Sequence, residues 1–201
     1  MELAQSQENH IPCPAMNITV LAKKGGVGKS MVSLLLYETF RQAGRTVRLH
    51  DWDGQGTSTK SLELIHGGRP ELQANPEIII YDTPPSLDHN ATATAARSAD
   101  ISLVVTSPDP ADVWEAEEAV EFARHRNPNA IVRIVFNKVK ETTILGRMVN
   151  ETAKQFSVQP LAVSLTTREC YKHAIVRGWK ALDGAARDEV LKFAVALLST
   201  T

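Results

Sequence analysis

Apolar residues along this chain gather into short unbroken runs, separated by longer stretches with helical patterning. The runs are Ile18–Ala22, Thr46–Asp51, Glu77–Asp82, Asp100–Thr106, Ala130–Asn137 and a shorter one at Pro160–Ser164. Runs of this length, rich in Ile and Val, predict strands buried on both faces. The stretches between them predict helices over Lys29–Ala43, Ala91–Ser98, Asp112–Arg126, Thr143–Gln155, Thr167–Arg177 and Ala185–Ser199, the first stopping at Gly44. Strands alternating with helices imply an α/β class: one domain with a mostly parallel, twisted sheet covered by helices on both faces. No internal repeat or low-complexity tract interrupts it. Residues 1–16, polar and carrying two prolines, read as a flexible tail, and residues 17–201 as the domain.

Composition narrows the function classes. The 201 residues are 43% hydrophobic, enough for one substantial core. A formal charge of −1 excludes a globally basic protein, so any nucleic-acid binding has to come from a local patch. Cys13 and Cys170 lie far apart without metal-ligand spacing and read as thiols of a reduced, cytoplasmic protein. No apolar run approaches the roughly 20 residues a membrane span needs. The first residues lack the basic and apolar regions of a signal peptide.

The chemistry gathers at the ends of the predicted strands. After the first comes Gly25-Gly26-Val27-Gly28-Lys29-Ser30, then Met31 and an apolar helix. Closely spaced glycines let backbone N–H groups turn inward around phosphate oxygens, and the helix that follows aims its positive end at the same anion. In such a phosphate loop Lys29 reaches the β- and γ-phosphates and Ser30 offers its hydroxyl to Mg2+. The run "IIIYD" delivers Asp82 from a buried strand, as a magnesium-binding carboxylate requires. Asp51 and Asp53 sit two residues apart at the end of the second strand, where open α/β sheets form their sites. In "FNKVKE", Lys140 stands where a guanine-reading aspartate would be, which argues for ATP over GTP. Asn137 there reads equally as an adenine contact or as a strand-end turn residue.

Lys23 and Lys24 are unusual, because an ordinary phosphate loop opens with glycine at position 23. The form Lys24-Gly25-Gly26-Val27-Gly28-Lys29-Ser30 resembles the deviant Walker A loop of the ParA/MinD family of ATPases. "DWDGQG" is similar to that family's first switch, with Gly54 in place of proline, and "DTPPS" (Asp82–Ser86) to the opening of its second. "VVTSPDPADVWEAEEAVE" and the closing region from Ser164 resemble the short ParF-type plasmid partition members over roughly residues 18–199. The resemblance implies that Lys24 reaches across an ATP-dependent homodimer to the partner's nucleotide. A second cation beside a triphosphate stabilises charge in the transition state, and supplying it in trans ties hydrolysis to dimerisation. It further implies that Asp53 positions the attacking water, that Asp51 supports the Mg2+ shell, and that Gly25–Met31 hold the nucleotide. Lys23 reads as an adjacent surface charge, and Met31 replaces the family's usual threonine.

Family members segregate plasmids or position large cargo from a cytoplasmic, nucleoid-associated ATP-bound dimer. That dimer binds DNA non-specifically and is released by a small ParB/ParG-like partner bound to the cargo. The resemblance points first to plasmid segregation; a non-DNA cargo (a chemoreceptor array or microcompartment) and a MinD-like membrane-surface ATPase are the alternatives. Against the last, "DEVLKFAVALLSTT" lacks the basic amphipathic character of a membrane-lying helix. Arg168, Lys172, Arg177 and Lys180 form the candidate DNA surface, Arg168 and Lys172 sharing a helical face. The same charges fit an ordinary solvated face, and Arg168 fits a nucleotide contact as well.

Overall fold

The structure is a computed structural model describing residues 14–68 and 75–200. Most of the expected tail therefore lies outside the described residues; Met16 already belongs to the first strand. Five strands, β1 (Met16–Leu21), β2 (Val47–Asp51), β3 (Ile78–Asp82), β4 (Ile101–Thr106) and β5 (Ile131–Phe136), make one sheet in the order β2-β3-β1-β4-β5. Every pairing is parallel. The helices are α1 (Lys29–Gln42), α2 (Thr57–His66), α3 (Asn90–Ser98), α4 (Pro110–Arg126), α5 (Ile144–Arg147), α6 (Val149–Ala153), α7 (Glu169–Arg177) and α8 (Gly184–Leu198), with a 3-10 turn at Gly178–Ala181.

Strand side chains alternate between two cores, as a doubly covered sheet requires. Ile18, Val20, Leu103 and Val105 join the core under α1, α7 and α8, while Leu21, Val104, Val132 and Ile134 join the one under α4. Helix α1 is buried nearly all round, from Val32 through Leu34, Leu35, Leu36 and Tyr37 to Phe40, because it lies between the sheet and α2, α7 and α8. All strands run the same way, so their carboxyl ends share one edge, and the loops leaving that edge build the site.

The structure departs from the sequence reading at several elements; α7, for one, begins at Glu169 and not Thr167. Helix α4 starts at Pro110 rather than Asp112, because Asp109 accepts from the Ala111 N–H at 2.9 Å and proline suits the first helical position. The stretch expected as one helix over Thr143–Gln155 is two short ones that meet at Met148, whose φ of −88° and ψ of 4° end one and begin the other. Pro160–Ser164 forms no strand: Pro160 has no N–H to donate, and the segment meets β5 only where Leu161 and Leu165 donate to Ile134 and Phe136. Helix α2, unexpected from its sequence "TSTKSLELIH", is rich in Ser and Thr that favour turns in isolation. Tertiary bonds to β2 and β3 hold its first turn in place, as follows.

Candidate nucleotide site

A cleft of about 880 Å³ opens beyond the carboxyl ends of the strands. Its walls come from the loop Gly25–Met31, from Asp53 and Gln55 after β2, from Ser107–Asp109 after β4, from Asn137, Lys138 and Lys140 after β5, and from the approach to α7. The glycine loop is therefore at the mouth of the sheet, with α1 starting directly from it.

Two side chains from the end of β5 clamp that loop. Asn137 donates its amide to the Val27 carbonyl at 2.8 Å, and the Lys138 ammonium donates to the Gly26 carbonyl. Capturing two successive carbonyls on the outside leaves the loop's N–H groups free to face inward, the arrangement that cradles phosphate. Gly28 has φ of +98°, and any Cβ there would collide with the Asn137 amide. Lys138, with φ of +58°, is the one non-glycine residue in the left-handed region among the described residues. For Asn137 the structure adds a third role to the two open readings, a side-chain hydrogen bond to the glycine loop. Val27 turns its side chain into the core and offers the loop its backbone.

Lys29 is 6% exposed. Burial lowers its pKa from the ordinary lysine value, while Asp82 and Asp53 pull the other way. Asp82 is fully buried, and burial pushes its carboxyl up; hydroxyls of Ser58 and Ser30 and the charge of Lys29 act against that. One Asp82 oxygen accepts from Ser58 at 2.5 Å; the other, Oδ1, makes no hydrogen bond of ordinary geometry, although the Ser30 hydroxyl is near enough to influence the carboxyl. A buried carboxylate oxygen left unmatched beside Ser30 is what a hard cation would fill, so the residues present fit a magnesium ion. Among the described residues no cluster of three or more His, Cys, Asp or Glu could hold a metal by itself.

Asp51 pairs in register with Asp82 across β2 and β3. Its oxygens accept from the backbone N–H groups of Asp53 at 3.1 Å and Thr59 at 2.8 Å. Asp51 thus shapes the loop that presents Asp53 to the cleft. Thr83 ties the turn after Asp82 to the end of β1 by donating to the Val20 carbonyl at 2.8 Å.

Lys24 does not line the cleft. Its ammonium, on a half-exposed side chain, pairs with Asp112 on α4 at 3.0 Å, and that contact raises its pKa. Asp112 also accepts from Ser107 at 2.6 Å. Lys23 pairs with Glu118 one helical face further along at 2.6 Å. Within "DVW", Asp112 takes Lys24, Val113 enters the core, and Trp114 stands 70% exposed.

Of the four candidate DNA contacts, Lys172, Arg177 and Lys180 are exposed. Arg168 is half-buried, lines the cleft, and donates to Glu189 on α8 at 2.9 Å. Glu189 also accepts from the Thr166 N–H and hydroxyl, both at 2.8 Å, and from the Tyr171 hydroxyl at 2.6 Å. Burial raises this carboxyl's pKa, but those donors outweigh it and hold the group below the usual glutamate range. Glu189 therefore fixes the wall of the cleft formed by Thr166, Arg168 and Tyr171. Sequence reasoning missed Glu189, Ser58 and Lys138. Only Lys138, beside Asn137 at a strand end, carried a local signal.

Known proteins bear on this geometry. The fold is similar to that of a plasmid partition protein of Borrelia burgdorferi bound to AMPPNP, with a TM-score of 0.75 and 18% identity, covering 94% of this chain and 100% of that one. A cobyrinic acid a,c-diamide synthase from Mycobacterium smegmatis, with ADP and magnesium bound, gives 0.72 at 17% identity, covering 92% and 94%. By sequence the chain is 26% identical over 194 residues to "Maintenance of carboxysome distribution protein A" of Halothiobacillus neapolitanus, spanning 86% of this chain and 89% of that protein. Residues 18–178, from β1 through the cleft to the end of α7, match the model of the CobQ/CobB/MinD/ParA nucleotide binding domain, and the chain belongs to that family.

Proposed function

We propose that this protein is a magnesium-dependent ATPase that dimerises on ATP and positions a cargo. The observation that carries the reading is the division of labour between two lysines of one loop. Lys29 is buried in the cleft between Asp82 and Asp53, whereas Lys24 stands outside it, half-exposed and paired with Asp112. A cation held outside its own cleft and half-exposed is placed to serve a neighbour's site. Gly25–Met31 hold the phosphates, Lys29 binds the β- and γ-phosphate oxygens, and Ser30 and Asp82 hold magnesium. Magnesium, when bound, neutralises charge on those oxygens. Asp53 orients the attacking water, and the partner protomer's second lysine stabilises the charge that develops. Lys140 in place of a guanine-reading carboxylate favours ATP.

Relatives support one choice of cargo over another. The sequence relative is named for carboxysome distribution, which favours a protein-bounded microcompartment. Plasmid segregation, suggested first by the sequence motifs, keeps only the support of fold likeness. In either case the track is DNA bound without sequence preference by Lys172, Arg177 and Lys180 of two protomers, and release follows stimulation by a cargo-bound partner. No helix among the described residues is long and apolar enough to cross a membrane.

Sedimentation and binding to a random-sequence duplex, each without nucleotide, with ADP and with ATP, test this. We expect ATP alone to give a dimer, and only that dimer to bind DNA, with affinity falling steeply as salt rises. A monomer under all three conditions would overturn the switch. An ATP dimer blind to DNA would remove the DNA track and leave the ATPase.

A further inference from the structure

We infer that Ser58 is a positioning residue for Asp82, and that the first turn of α2 couples the Asp53 loop to the metal-binding carboxylate. The inference rests on the proposed role of Asp82 in holding magnesium. Ser58 is fully buried and donates to Asp82 Oδ2 at 2.5 Å. One residue on, the Thr59 N–H donates to Asp51 at 2.8 Å. Because Asp51 and Asp82 are register partners at the ends of β2 and β3, successive residues of one helical turn hold the two neighbouring carboxylates. The same turn begins from the Asp53 loop, where the Gly56 N–H donates to the Asp53 carbonyl at 2.9 Å.

The geometry has a chemical consequence. A carboxylate alone at a strand end can rotate and present either oxygen. With Oδ2 held by the Ser58 hydroxyl, Asp82 presents Oδ1, the oxygen that makes no hydrogen bond of ordinary geometry. Ser58 thus selects which lone pairs face the cation, as groups behind metal ligands commonly do, with roughly 10- to 100-fold effects on metal affinity. Ser58 lies five residues on from Asp53, so the Asp53 loop and the group that orients Asp82 belong to one short, hydrogen-bonded segment. Ser58 itself is fully buried and does not line the cleft.

Binding of a fluorescent ATP analogue by the full chain tests this without hydrolysis, first in EDTA and then across a magnesium series. We expect Ser58→Ala to match wild type in EDTA and to need roughly 10-fold more magnesium for half-maximal enhancement of binding. In an Asp82→Asn background, Ser58→Ala should then add nothing further. A wild-type magnesium midpoint for Ser58→Ala would overturn the inference. So would an equal loss in EDTA, or an effect undiminished by Asp82→Asn. If Asp82→Asn alone leaves the midpoint unchanged, the assignment of Asp82 to the metal fails, and this inference falls with it for that separate reason.

Discussion

At the scale of single residues, the glycine loop depends on side chains outside it, Asn137 and Lys138, that hold its carbonyls. Gly28 is required twice, by its left-handed φ and by the Asn137 amide packed where a Cβ would sit. Gly28→Ala should therefore push Asn137 off the Val27 carbonyl and cost about 1–3 kcal/mol of stability. It should also lower nucleotide affinity more than tenfold, as calorimetric titration would show. Lys24 offers the opposite test, because its Asp112 contact has to break before it can reach another protomer. Asp112→Asn keeps an oxygen for Ser107 but removes the charge. We expect the ATP-bound variant to dimerise at lower protein concentration than wild type, read by sedimentation; a weaker dimer would place Asp112 in the interface instead.

At the scale of elements, the C-terminal helix acts on the cleft from behind. Glu189 of α8 gathers Thr166, Arg168 and Tyr171, so replacing it with Gln should loosen that wall and cost about 1–3 kcal/mol. Its pKa lies below the ordinary value of 4.5 in the folded state. Its contribution is thus fully present above that value and is lost as pH falls through the depressed one. Melting temperature against pH should drop less steeply on the acid side for Glu189→Gln than for wild type.

The same elements show how much was readable beforehand. The five strands and the helices α1, α3, α4, α7 and α8 were legible because burial on both sheet faces leaves apolar runs in the sequence. The placement of the glycine loop, Asp53 and Asp82 at the carboxyl ends of strands was legible, because a glycine-rich turn and isolated carboxylates after apolar runs mark those ends. Helix α2 was not, since Ser and Thr lower its local propensity and bonds to Asp51 and Asp82 restore it. Glu189 was not, because its partners are 18 to 23 residues away and nothing local marks them. Arg168 showed as a charge, and only the fold reveals that a carboxylate on another helix claims it.

At the scale of the whole molecule, the proposed reading makes a near-neutral chain a switch only as a pair. One protomer carries a cleft with its own buried lysine, and its second lysine pairs with Asp112 on α4. Exposed Lys172, Arg177 and Lys180 are too few on one copy for strong DNA binding, and pairing two copies multiplies them. Dimerisation would therefore complete the catalytic site and create the DNA surface in one step, which makes the state of the nucleotide the control on both.

Mixing two inactive variants tests that arrangement most directly. Lys24→Ala keeps its own cleft and Asp53 but exports no cation; Asp53→Ala exports Lys24 but cannot orient water. Each alone should bind ATP and hydrolyse almost none. Mixed, they form dimers in which the Lys24→Ala cleft receives Lys24 from its Asp53→Ala partner, and ATP turnover should reappear. If both variants bind ATP and form mixed dimers yet turnover stays absent, Lys24 does not act across the dimer.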